Sequence, residues 1–185
     1  MNILTVCTGN ICRSPMAEGL LRSGCGVVGL DARVASVGSW EDGVPADPRA
    51  VEVMADRGID ISSHKSRVAT PADITAAHLI LAMAREHVVA VAARVPDSFA
   101  RTFTLREFVD RARAVGPKPE DVELQVYLAD VGADRRHADM LDNRAEMDID
   151  DPIGQSRRVF DRVATELETL TWVAVDLLAG YPPRA

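Results

Sequence analysis

The sequence predicts an α/β fold, an open parallel sheet with helices on both faces. Two observations carry that prediction. Short apolar, β-branched runs alternate with amphipathic stretches from the N-terminus to about residue 115, as successive right-handed βαβ units require. One of those runs, Ala77 to Met83, is apolar throughout, as a strand covered on both faces must be.

In chain order, Ile3 to Val6 reads as the first strand, followed by the loop Cys7-Thr8-Gly9-Asn10-Ile11-Cys12-Arg13-Ser14-Pro15. Ser14 suits a helix N-cap and Pro15 the first helical position, where a missing N–H costs nothing. Met16 to Ser23 continues that helix, and Gly24-Cys25-Gly26 reads as the turn after it, with Cys25 a packing residue. Ala32 to Val37 is the second strand, closed by Gly38, and Ser39 to Gly43 is a loop containing Trp40. Asp47-Pro48 opens a helix to about Arg57, with Val51, Met54 and Ala55 inward and Gly58 at its C-cap. Ile59 to Arg67, with His64, is a connector. After the Ala77–Met83 strand comes a helix from Glu86 to Val95, ended by Pro96. Phe99 to Thr104 is a short strand, and Leu105 to Ala114 a helix with Leu105, Phe108 and Val109 inward.

Gly116-Pro117-Lys118-Pro119 breaks the alternation, and Glu120 to Met147 is polar with mixed charge. The spacing of Val122, Val126, Leu128 and Val131, then Met140 and Leu141, permits short helices there. Ser156 to Leu178 is the last helix, with Val159, Val163, Leu167, Leu170, Val173 and Leu177 on one stripe. Gly180 and Pro182-Pro183 stop it. With no internal repeat and no dividing linker, 185 residues make one domain around one core.

Hydrophobic residues at 47% and charged residues at 26% describe a soluble protein. No apolar run approaches the roughly 20 residues of a membrane span, and no basic-then-apolar leader opens the chain. Three cysteines, two of them in one loop, make no disulfide framework, so a reducing cytoplasm is the expected location. A net charge of −7 argues against nucleic acid as a partner.

The chemistry gathers in the first loop. It ends at a helix N-terminus, where unpaired N–H groups and the positive dipole end favour an anion. Arg13 can fork two N–H groups onto two oxygens of one phosphoryl group. The same field is expected to draw the Cys7 thiol below its free value of about 8.5, leaving a thiolate. A nucleophile at the floor of a phosphate cradle points to phosphoryl transfer through phosphocysteine. The bland alternative makes Cys7 a buried apolar residue and Arg13 a surface charge.

That Cys-x5-Arg-Ser loop, set straight after the first strand and followed by Pro15-Met16-Ala17-Glu18, resembles the low-molecular-weight protein tyrosine phosphatases. The resemblance implies a three-layer α/β/α architecture on a four-stranded parallel sheet, with the phosphate loop after the first strand. It implies metal-independent hydrolysis of phosphotyrosine in proteins, with no cofactor. The family's acid is an Asp before Pro ahead of the last helix, which in Asp148-Ile149-Asp150-Asp151-Pro152 is Asp151. Crowded carboxylates there are expected to raise the pKa of the least solvated one.

The resemblance also makes Thr8, Gly9, Asn10, Ile11, Cys12 and Ser14 the substrate-binding loop and Trp40 an aromatic wall of the cleft. Ser14 would bond the Cys7 sulfur, and Asn10 would hold a strained loop with Ser36 and His64 as partners. Of the other histidines, His78 reads as packing at the sheet end, and His87 and His137 as surface residues. The family's connection before the acid loop is shorter, so about 115–147 reads as an insertion. Ile11 stands where the related protein-arginine phosphatases carry Thr, which favours an aromatic substrate over a phosphoguanidine. Ile153-Gly154, where the tyrosine phosphatases often carry aromatics, cuts the other way. Thiol-based arsenate reduction uses the same loop but relays a disulfide through further cysteines. Cys12 can form a reversible disulfide with Cys7, and only Cys25 lies beyond it. A catalytically silent anion-binding module needs neither the thiolate nor the acid.

Overall fold

The computed structural model describes residues 1–136, 138 and 145–184. The four strands β1 (Asn2–Val6), β2 (Arg33–Val37), β3 (Leu79–Ala82) and β4 (Thr102–Thr104) form one parallel sheet in the order β2-β1-β3-β4. The registers Val6↔Val37, Val6↔Ala82 and Ala82↔Thr104 bring their carboxyl ends to one edge, with β1 inside the sheet. The loop after β1 therefore emerges in the middle of that edge. The helices are α1 (Arg13–Val28), α2 (Pro48–Ala55), α3 (Pro71–Ala76), α4 (Arg85–Arg94), α5 (Leu105–Val115), α6 (Leu124–Val131) and α7 (Arg157–Leu178). Among the described residues no helix is long and apolar enough to cross a membrane.

Strand alternation divides the core. Ile3, Leu79 and Leu81 face a cluster built with Met16 and Leu21 of α1, Phe108 of α5 and Phe160, Val163 and Leu167 of α7. Leu4, Val6, Val37 and Ile80 face Ile74 of α3 and Val91 of α4. The sheet is thus covered on both sides, and the three-layer expectation holds.

Several local expectations give way. Helix α1 runs through Gly24 and Cys25 to Val28, and Gly29 at φ 72° ends it. Gly24 is a packing glycine rather than a turn: a Cβ there would lie 3.2 Å from Val175 Cγ2 of α7. Ser14 is not the N-cap. Cys12 holds that position, and Ser14 turns inward. In α2 the buried residues are Ala50, Val53 and Met54, a shift of phase set by the Asp47 side chain capping Arg49 N. Residues Pro96–Arg101 form a 3₁₀ turn, so the expected Phe99–Thr104 strand shortens to Thr102–Thr104. Helix α3 is unanticipated, although Thr70-Pro71 and Asp73 form its capping box.

In 116–147, α6 buries Leu124, Tyr127, Leu128 and Val131 and exposes Val126, against the proposed stripe. His137, Asp139, Met140 and Leu141 lie outside the described residues. What anchors this stretch is Arg135. Its side chain is only 4% exposed, and its guanidinium lies 4.4 Å from the Phe99 ring centroid and 4.1 Å from that of Phe103. Nε donates to Glu107 Oε1 at 2.8 Å, Nη1 to Phe99 O and Nη2 to Thr102 O at 2.6 Å. A buried guanidinium with five donors thereby closes the free side of edge strand β4.

Removing one partner of such a pair strands the other's charge. Arg135→Ala should lower unfolding free energy by about 3–5 kcal/mol in urea titrations, and Arg135→Lys should recover little, lacking the fork. A loss below about 1 kcal/mol would mean the clamp contributes nothing beyond an exposed pair.

Candidate active site

The loop between β1 and α1 is held from behind. Asn10 sits at φ 52°, the left-handed region that Asn tolerates, and is fully buried. Its Nδ2 donates to Ser14 Oγ and Ser36 Oγ, both at 2.9 Å, and its Oδ1 accepts from Arg67 N at 2.9 Å. His64 Nε2 donates to Asn10 O at 2.7 Å. Ser36 Oγ donates its own hydrogen to Glu18 Oε2 at 2.5 Å. From β2, Gly38 lies so close that a Cβ would sit 2.7 Å from Thr8 O, and Ser39 N donates to that carbonyl at 2.8 Å. The Asn10 partners expected at Ser36 and His64 are both present.

In front of this scaffold stands Cys7, 2% exposed. Its Sγ accepts Asn10 N–H at 3.2 Å and lies 2.9 Å from Ser14 Oγ, the contact expected of Ser14. Cys12 is also buried; burial first, then the charges of Asp47 and Cys7, push its thiol far up, so it stays protonated. Arg13 leaves the first turn of α1 with its side chain 6% exposed. Nη1 donates to Ile149 O at 3.2 Å and Nη2 to Asp151 Oδ2 at 2.5 Å. Its Nε is buried with no partner among the described residues, an orphan donor beside the loop.

The three carboxylates of 148–151 are dispersed rather than crowded. Asp148 Oδ1 accepts Arg85 N at 2.7 Å and caps α4, and Asp150 pairs with Arg162 at 2.8 Å. Asp151 alone turns to the pocket. Ile149, buried and bonded through its N–H to Met83 O, ties this segment to the end of β3. The pocket is lined by Cys7, Thr8, Gly9, Ile11, Cys12, Arg13, Trp40, Asp151 and Ile153. Asn10 and Ser14, both fully buried, stand behind these lining residues. Trp40 is 72% exposed and Ile153 47%, so the mouth has an open, apolar rim.

Two residues escaped sequence reasoning. Glu18 ends the Asn10–Ser36 relay and pairs with Arg22 on its own helix. His87, read as a surface residue, is 3% exposed, and its Nε2 lies 2.9 Å from Thr8 Oγ1. Burial, then the charge of Arg13, lowers its pKa to about 4, so the imidazole is neutral at pH 7. His78 behaves as read, its Nδ1 accepting Asn2 N at the sheet end.

Residues 2–122 match the family model described as low molecular weight phosphotyrosine protein phosphatase. A probable low molecular weight protein-tyrosine-phosphatase of Ralstonia solanacearum is 46% identical over 105 residues, 57% of this chain and 70% of that one. A protein-arginine-phosphatase of Bacillus subtilis is 38% identical over 128 residues, 69% of this chain and 85% of that one. Among solved structures, a low molecular weight protein tyrosine phosphatase from T. tengcongensis superimposes with a TM-score of 0.74 at 32% identity, covering 96% of this chain and 99% of that one.

His87 gives the site a pH signature. The unfolded chain takes up a proton near 6.5 that the native state refuses until about 4, so acid must erode stability across that window. Replacing it as His87→Gln should flatten the fall of the urea midpoint between pH 6.5 and 4. A slope equal to wild type would place the responsible proton elsewhere.

Proposed function

The chain belongs to the low molecular weight phosphotyrosine protein phosphatase family, and from that premise we propose that it hydrolyses phosphotyrosine in proteins through a phosphocysteine on Cys7. The observation that carries the proposal is convergence: Cys7, the Arg13 guanidinium and the Asp151 carboxylate all line one pocket. An anion seated in the loop meets the α1 N-terminus and the unpaired Arg13 Nε. The Cys7 thiolate attacks phosphorus from below, while Asp151 gives its proton to the departing phenolic oxygen. Water then attacks phosphocysteine with Asp151 as base, and the Ser14 hydroxyl, 2.9 Å from Cys7 Sγ, stabilises the released thiolate.

Without an anion, Asp151 is held by Arg13 Nη2 at 2.5 Å. Substrate oxygens compete for the same guanidinium, so substrate binding loosens that hold as the acid is needed. Ile11, Trp40 and Ile153 give the mouth apolar contacts suited to an aromatic ring. Ile11 offers no hydroxyl to a phosphoguanidine, which disfavours phosphoarginine. Cys25, buried in α1, is poorly placed to carry a disulfide outward, which disfavours arsenate reduction. We place the enzyme in the cytoplasm, because its thiolate needs a reducing compartment. We also take 1–185 as one domain whose stretch at about 115–147 is an insertion, supported by the Arg135 clamp that docks it on β4.

Purified protein should hydrolyse phosphotyrosyl peptides well above phosphoarginyl and phosphoseryl ones, with no thioredoxin-coupled arsenate turnover; a phosphoarginyl preference would overturn the substrate assignment. Cys7→Ser should abolish turnover yet bind phosphate, because the serine has no adjacent base. Asp151→Asn should cost ~10²–10⁴ on phosphotyrosine and clearly less on an activated aryl phosphate. Asp148→Asn and Asp150→Asn should act mildly. If Asp150→Asn instead shows the leaving-group-dependent loss, the acid is one residue away.

A further inference from the structure

Thr8 is the first residue after the nucleophile, exposed at the pocket wall, yet its side chain is held by a buried group from another helix. His87, third residue of α4, brings Nε2 to 2.9 Å from Thr8 Oγ1. Its Nδ1 is buried and has no partner among the described residues. A buried imidazole that satisfies one nitrogen and abandons the other is costly, and the cost falls beside the phosphate loop.

The surroundings decide which nitrogen carries the proton. Glu86 Oε1 lies 3.4 Å from His87 Nε2 and 3.5 Å from Thr8 Oγ1. A carboxylate facing Nε2 favours a hydrogen on that nitrogen, so Nε2–H donates to Thr8 and Nδ1 is the bare, dry acceptor. A hydroxyl that accepts from His87 keeps its own hydrogen free. In the resting site that hydrogen has only the long contact to Glu86, whose side chain is 71% exposed. The Thr8 carbonyl is meanwhile fixed by Ser39 N at 2.8 Å, so the residue is pinned at both ends.

We propose that His87 is a positioning residue of the phosphate site: its Nε2–H fixes the Thr8 hydroxyl as a donor to a bound phosphoryl oxygen. The inference rests on the phosphatase reading and adds to it a contact from the side chain of Thr8. The hydroxyl serves ground state and transition state alike, since both carry the phosphoryl charge. Its loss is therefore read in KM and in phosphate affinity, with kcat little changed. Neutrality of the imidazole matters here, because an imidazolium would also carry a hydrogen on Nδ1, which has no acceptor among the described residues.

The test compares wild type, Thr8→Val, His87→Leu, His87→Gln and the Thr8→Val/His87→Leu double variant. Each is assayed with 4-nitrophenyl phosphate and with inorganic phosphate as competitor. Thr8→Val and His87→Leu should each weaken phosphate inhibition and raise KM about 5- to 20-fold, as befits a charge-assisted hydrogen bond at a partly wet site, with kcat within about twofold. The double variant should be no worse than the worse single one, since both remove one contact. His87→Gln, whose amide nitrogen can stand where Nε2 stands, should keep near wild-type affinity. Nitrogen-detected NMR of wild type should show the Nε2–H tautomer, a readout that survives even if His87→Leu fails to fold. Additive losses in the double variant, a Thr8→Val effect under twofold, or an Nδ1–H tautomer would each overturn the proposal. Wild type that neither turns over nor binds phosphate would sink the phosphatase reading itself, a result distinct from these.

Discussion

The fold of the site depends on one side chain amide. Asn10 spends both Nδ2 hydrogens and its Oδ1 on Ser14, Ser36 and Arg67, while its backbone carbonyl takes His64. Those partners come from α1, β2 and the connector beyond α2, so a single buried residue fixes the loop against three parts of the chain. Its backbone at φ 52° is a conformation that a β-branched residue would resist, and its N–H donates to Cys7 Sγ at 3.2 Å. A saturated buried network of this kind has few alternative arrangements, because each rearrangement orphans a polar group. Rigidity here is a consequence of hydrogen-bond accounting, with little left to apolar packing.

That rigidity serves an electrostatic purpose. The chain as a whole carries −7 and repels anions at a distance. Within the loop the balance reverses, since the α1 N-terminus and the Arg13 side chain stand at one pocket. Sheet register makes this possible. Because β1 lies inside the sheet with its end level with β2 and β3, neighbouring strands supply Ser36 and Gly38 on one side and Met83 on the other. Met83 O then receives Ile149 N, so the strand that flanks Cys7 also anchors the segment bearing Asp151.

Much of this was legible in the sequence, for a physical reason. Cys7 to Ser14 is contiguous, so its chemistry follows from local spacing, and Asp151 is flagged by the proline after it. The continuous apolar run at β3 could belong only to a strand covered on both faces. Residues that act from a helix flank were not legible. Glu18 and His87 reach the loop only because α1 and α4 pack at particular rotations, which local spacing does not encode. Gly24 misled for a related reason: the same residue type marks a turn or a close helix crossing, and only Val175 across the interface distinguishes them. Arg135 in a polar stretch reads as solvent-facing until Phe99, Phe103 and Glu107 are seen around it.

The resting contact between Arg13 and Asp151 joins the two halves of the chemistry. In the proposed mechanism Asp151 has to leave the guanidinium to reach the leaving oxygen, so this contact must be exchanged. A phosphoryl dianion is the stronger claimant for the same fork, bidentate where Asp151 is met by one nitrogen at 2.5 Å. In the proposed mechanism, an anion in the loop draws the Arg13 guanidinium to itself and leaves Asp151 free to face the leaving oxygen. The Asp151 side chain is 42% exposed, so it can turn without disturbing the buried Ile149. Ile149, two residues before Asp151, bonds through its N–H to Met83 O and ties this segment to the end of β3. The same guanidinium thus links the seating of the anion to the freedom of the proposed acid.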